Sequence, residues 1–139
     1  MSRTAPARVR ASLRRGLALV AAGHAGRGLR GETVRWAERL AAGEPVSDAK
    51  ARKMKAWFAR HGAAVAESAR RMRDPTSPAA VAWRLWGGDP RVAYRRVGWR
   101  DPVAAWLRGV LAPKPRRKRR NPTWKQALPW MVVLPLIPP

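Results

Sequence analysis

Apolar positions recur at helical spacing along most of the chain, and no stretch alternates apolar with polar residues long enough to predict a strand. A first helix is expected from Gly31 or Glu32 to about Ala42, with Val34, Ala37, Leu40 and Ala41 on one face and Gly43 as its stop. Ser47 and Asp48 open a second, which carries Met54, Trp57, Phe58 and His61 on one stripe before Gly62 ends or bends it. Residues 63–73 read as a further helical stretch with a weak face of Val65, Ala69 and Met72, and Asp74-Pro75 then turns the chain. Three cap-plus-proline pairs, Ser77-Pro78, Asp89-Pro90 and Asp101-Pro102, each supply an N-cap oxygen and a residue suited to the first helical position. The helix from Pro78 presents Val81, Ala82, Leu85 and Trp86 and stops at Gly87-Gly88. A short one from Pro90 presents Val92, Ala93 and Val97, and one from Pro102 presents Val103, Trp106, Leu107, Val110 and Leu111. The expected fold is all-α, a small irregular helical bundle with extended basic and apolar arms.

The two ends have a different character. Ser2 or Thr4 with Pro6 can start a helix that aligns Val9, Leu13, Leu17 and Val20, with Arg8, Arg10, Arg14 and Arg15 spread around them. Such a basic amphipathic helix suits a groove, a partner or a membrane surface; equally, it can pack Leu13 and Leu17 on the body and leave its arginines in water. The same stretch imitates a secretory signal, but its apolar run is short and Arg14 and Arg15 interrupt it, so it is not read as one. Beyond Leu111, Pro113-Lys114-Pro115 precludes a helix and the chain runs on through a cluster of arginines to Asn121-Pro122. The organisation is then a basic arm over 1–30, a helical body over 31–112, a basic Pro-rich linker over 113–122 and an apolar Pro-rich tail over 123–139. Trp124, Trp130, Leu134 and Ile137 would be adhesive in water, so the tail is expected to dock in a protein groove, on another subunit in preference to its own body. No stretch approaches the roughly 20 apolar residues of a spanning helix.

Charge changes this picture most. Thirty Lys and Arg face eight Asp and Glu across 139 residues, a net charge of +22. All eight acids fall between Glu32 and Asp101, so both ends are purely basic. Self-repulsion on this scale implies a standing acidic partner. Lys114, Arg116, Arg117, Lys118, Arg119 and Arg120 form the densest run, followed by Arg8, Arg10, Arg14 and Arg15, and these are the expected polyanion-binding residues. Nothing marks a helix that reads base edges, so the expected contact is with phosphates irrespective of sequence. An anionic membrane surface would attract the same charges and is the lesser expectation.

Candidate chemistry is sparse. The absence of Cys excludes disulfides and thiolate-bound zinc, and His24 and His61 are the only near-neutral bases. With the acids mostly in cap positions, neither a catalytic group nor a metal site is expected, and no cofactor. Gly87-Gly88-Asp89 lacks the Lys-Ser/Thr of a phosphate-cradling loop and reads as a helix-to-helix turn. Of the eight tryptophans, Trp57, Trp83, Trp86 and Trp106 are expected to dominate the core, while Trp36, Trp99, Trp124 and Trp130 look less internal. Aromatics interleaved with arginine can stack on unpaired bases, although aromatics at helical spacing more often fill a core.

Two stretches carry a resemblance. Arg52-Lys53-Met54-Lys55-Ala56-Trp57-Phe58-Ala59-Arg60-His61, preceded by Gly43-Glu44-Pro45-Val46-Ser47, is similar to a helix ending in an aromatic, Ala-Arg-His sequence. Ser77-Pro78 followed by Val81-Ala82-Trp83-Arg84-Leu85-Trp86-Gly87-Gly88-Asp89 is similar to an Ala-Trp-x-Leu-Trp-Gly-Gly-Asp signature. Together they resemble a small helical module of tailed-bacteriophage head-associated proteins. The likeness spans about Thr33 to Arg96, under half of the chain, and departs at Gly62 to Arg73, which is Ala-rich where that module has a charged, then Gly- and Pro-rich, connection. It implies a setting and no catalytic activity: a non-enzymatic virion component of the head or head-tail connector, present in many copies, made in the host cytoplasm and docked on shell or connector proteins. A soluble nucleic-acid-binding protein acting outside any particle and a membrane-surface device are the rival expectations.

Overall fold

A computed structural model describes residues 2–67 and 73–113. Among these the protein is all-helical, with α1 (Ala7–Ala21), α2 (Gly31–Ala41), α3 (Asp48–Glu67), α4 (Pro78–Leu85) and α5 (Pro102–Val110) and no strand. α1 packs across α2 and α4, α3 packs on α5, and smaller contacts join α1 to α5 and α2 to α4. The helix ends follow local chemistry. Ser47 Oγ accepts from the Lys50 N–H at 3.1 Å, Ser77 Oγ from that of Ala80 at 3.1 Å and Asp101 Oδ1 from that of Val103 at 3.1 Å. Gly43 (φ +95°) and Gly87 (φ +91°) terminate α2 and α4 in the left-handed region that side chains with a Cβ avoid.

The stretch delimited as an N-terminal arm supplies part of the core. Val9 and Leu13 are fully buried and Ser12, Gly16 and Leu19 join them, so the inner stripe of α1 is displaced from Leu17 and Val20, which are half-buried. Ser2 and Thr4 do not cap α1; its N-cap is Pro6, without a side-chain bond. Those residues instead lash distant parts of the chain together. The Ser2 carbonyl accepts from Trp106 Nε1 (3.1 Å), the Arg3 carbonyl from the Val46 N–H (2.9 Å), and Thr4 Oγ1 donates to the Gly43 carbonyl (3.3 Å). Arg3 adds a bond to the Val46 carbonyl and an ion pair with Asp48 at 2.6 Å.

The centre of the fold is aromatic. Trp83 is 1% exposed and meets Phe58, Trp57, Trp99 and Tyr94 with ring centroids 4.8–6.0 Å apart. Trp106 is buried as expected, Trp57 and Trp86 are only half-buried, and Trp99, expected nearer the surface, is 8% exposed. α3 does not break at Gly62. That glycine is buried beneath Tyr94, whose ring occupies the place a Cβ would take. The expected face of Val65, Ala69 and Met72 lies outside the described side chains.

The helix expected from Pro90 does not form. Asp89 Oδ1 accepts from the Arg91 N–H at 2.9 Å and both carboxylate oxygens hold the Arg91 guanidinium, closing a turn in which the Val92 N–H reaches the Asp89 carbonyl. The physical reason lies in Tyr94 and Trp99. Five residues apart, they would stand about 140° apart around a helix, yet both rings pack on Trp83, which requires irregular backbone, with Gly98 at φ +72°. Val97, expected inward, is left 85% exposed. The Gly-Gly-Asp turn is structural: Ser12 Oγ donates to the Gly88 carbonyl at 2.5 Å, and the Asp89 N–H donates to Asp101 Oδ2 at 2.7 Å.

Candidate functional site

α3 carries two stripes. Ala51, Met54, Phe58 and Gly62 turn into the core, while Lys50, Lys53, Trp57, Arg60 and His61, at i, i+3, i+7, i+10 and i+11, line a cleft of about 820 Å³. The Gly26–Arg30 loop and the start of α4 form the facing wall, with Leu29, Ala79 and Val81 among its apolar members. Arg30, Lys50, Lys53 and Arg60 bring four cations to this cleft and Glu32 its one acid among the described residues. The sequence reading placed Trp57 and His61 on the core stripe; Met54 and Phe58 go inward, whereas His61 is exposed.

A continuous stack runs beside the cleft across three helices. The Arg39 guanidinium lies 4.4 Å from the Trp36 ring, Lys50 Nζ lies 4.9 Å from Trp36 and 4.3 Å from Trp86, Trp86 stacks on Trp57 at 5.0 Å, and Trp57 meets His61 at 4.5 Å. The ends differ. Arg39 is ion-paired with Glu44 at 2.6 Å, while His61 opens on the cleft. Burial pulls the Lys50 ammonium down to about 8, Lys53 adds to the shift and Glu32 opposes it; the two indole faces favour the charged form and work against the burial. Burial and then Arg60 hold His61 below its ordinary value, so its ring is neutral at pH 7.

The arginines expected to bind a polyanion divide. On α1, Arg8, Arg14 and Arg15 are exposed and Arg10 is half-buried. Arg14 donates to the Ala41 carbonyl at the end of α2 (3.4 Å). Arg15 joins Arg84 and Arg91, which the sequence did not single out; Arg84 is held below its usual range chiefly by burial, and its Nε is buried without a partner. None of the α1 arginines lines the cleft. Lys114, Arg116, Arg117, Lys118, Arg119 and Arg120, with Trp124, Trp130, Leu134 and Ile137, lie outside the described residues.

Among the described residues, no cluster of His, Asp or Glu could hold a metal ion, and no helix is long and apolar enough to cross a membrane. Compared with known proteins, the chain matches no family model, and neither the curated proteins nor the solved structures give a significant match.

Proposed function

We propose that this chain is a non-enzymatic structural protein that binds a polyanion, nucleic-acid phosphate first, and that it works in the setting its sequence resemblance implies, the head or connector of a tailed-phage virion. One observation carries the reading: the few acids are already engaged with the protein's own groups and fall far short of its cations. Asp101 is buried as a cap, and Asp48, Glu44 and Asp89 each hold a single arginine. A net excess of +22 therefore calls for a partner that the chain itself does not supply. Phosphates bound by such cations release condensed counterions, so the affinity depends on salt and hardly on sequence.

Fluorescence anisotropy of a labelled 30-base-pair duplex tests this. Affinity is expected to fall about a thousandfold between 50 and 200 mM salt, as for six or more phosphate contacts, with little difference between unrelated sequences. Absence of binding at 50 mM salt would remove the reading. The setting is tested separately by mass spectrometry of purified virions and DNA-emptied shells: retention in both marks a shell or connector component, and absence from both a protein acting outside the particle.

A further inference from the structure

The cleft beside α3 has a composition that phosphate binding by scattered surface arginines does not require. Its cations share the lining with apolar side chains, and a series of ring contacts ends in that lining at His61. Trp57 is already engaged by two rings, Trp86 stacked at 5.0 Å and His61 tilted at 4.5 Å. Trp86 is likewise engaged, by Trp57 and by Lys50. At the far end, Arg39 is held by Glu44. His61 is the terminal ring of this series, and it is exposed and lines the cleft, with Arg60 beside it and Lys53 two turns earlier on α3. A volume of about 820 Å³ is ample for one nucleotide.

We propose that this cleft binds a phosphate-bearing planar base, stacked on His61, with its phosphate held by Lys53, Arg60 and Arg30. The inference rests on the polyanion reading and adds to it a preference for unpaired bases. Either a free nucleotide or one unpaired residue of a strand presents this chemistry. A neutral His61 suits the role, since a flat uncharged imidazole stacks without adding charge beside Arg60.

The test uses the full chain and two labelled single strands of equal length, one of adenosine nucleotides and one of abasic sugar-phosphates with the same charge. The base-bearing strand is expected to bind about tenfold more tightly, in line with a single base on an aromatic ring. His61→Ala should erase that difference while leaving the abasic strand's affinity unchanged, and Lys53→Ala/Arg60→Ala should weaken both strands. Circular dichroism checks that the variants fold; His61→Phe, which keeps a stacking face, should restore the preference. Competition by adenosine monophosphate would identify a free nucleotide as a sufficient ligand; preference without competition would identify a strand, and both results support the site. Equal binding of the two strands would overturn the inference and leave the polyanion reading intact, whereas failure to bind either strand or duplex would remove both.

Discussion

Replacing Asp101 by Asn isolates the energetic cost of one buried carboxyl. The side chain is 1% exposed and joins two parts of the fold: Oδ1 caps α5 through Val103 and Oδ2 receives the Asp89 N–H. Burial pushes its pKa up to about 6; the two backbone N–H bonds and the Arg84 charge pull the other way, and the Asp89 charge pushes up with the burial. A carboxyl raised in the folded state stabilises the protein fully below its unfolded value, near 4, and that contribution is lost as the pH rises through about 6. A shift of about two pH units at about 1.4 kcal/mol each amounts to about 3 kcal/mol. Asn cannot ionise, so subtracting its stability from the wild type's cancels the other acids, which repel less or more in both proteins alike. Urea unfolding at pH 4, 5, 6 and 7 should show the wild type losing about 3 kcal/mol relative to Asp101→Asn across that range, on top of a constant penalty of about 1 kcal/mol in the variant for the acceptor it lacks. A difference that does not vary with pH would show that the two N–H bonds balance the desolvation, and one that grows in the wild type's favour as pH rises that they outweigh it; either result would refute the reasoning.

Two further outcomes follow from the packing. Lys50→Met keeps the unbranched stem between Trp36 and Trp86 without the buried charge; because the folded Lys50 loses its proton at about 8, below the ordinary 10.5, the wild type should gain stability relative to the variant as pH rises from 8 to 10.5, measured by thermal melts. Gly88→Ala would set a Cβ 2.5 Å from Trp83 Nε1 and 2.9 Å from Phe58 Cε1, two rings locked in the core, and should cost about 1–3 kcal/mol by urea unfolding.

Helix positions were legible where the chain states them locally. Ser47, Ser77 and Asp101 cap where an oxygen precedes a helix start, and Gly43 and Gly87 stop helices where a positive φ is needed. Asp89-Pro90 has the same local grammar and fails, because the destination of Tyr94 and Trp99 is decided by Trp83, a residue no local rule consults. α1 was ambiguous for a related reason: its inner stripe includes Ser12 and Gly16, which read as polar and small until their contacts at Gly88 and α4 are known. The cleft was half-visible. Lys50, Lys53, Trp57, Arg60 and His61 share a helical stripe in the sequence, but a stripe of mixed charge and ring looks like a solvated edge of the Met54–Phe58 face until the Gly26–Arg30 loop is brought opposite it. Arg84 and Arg91 do not stand out in the sequence because the proximity to Arg15 that makes them notable is entirely tertiary.

The lashing of residues 2–4 constrains the order in which the molecule can be made. Ser2 is held by Trp106, and Arg3 by Val46 and Asp48, so a segment made before α1 meets its final partner more than a hundred residues later in the chain. At about 5–20 residues per second the nascent chain waits for seconds with that segment untethered and Val9 and Leu13 uncovered. Completion of α5 is therefore the event that closes the structure, because only then can the Trp106 indole reach the Ser2 carbonyl.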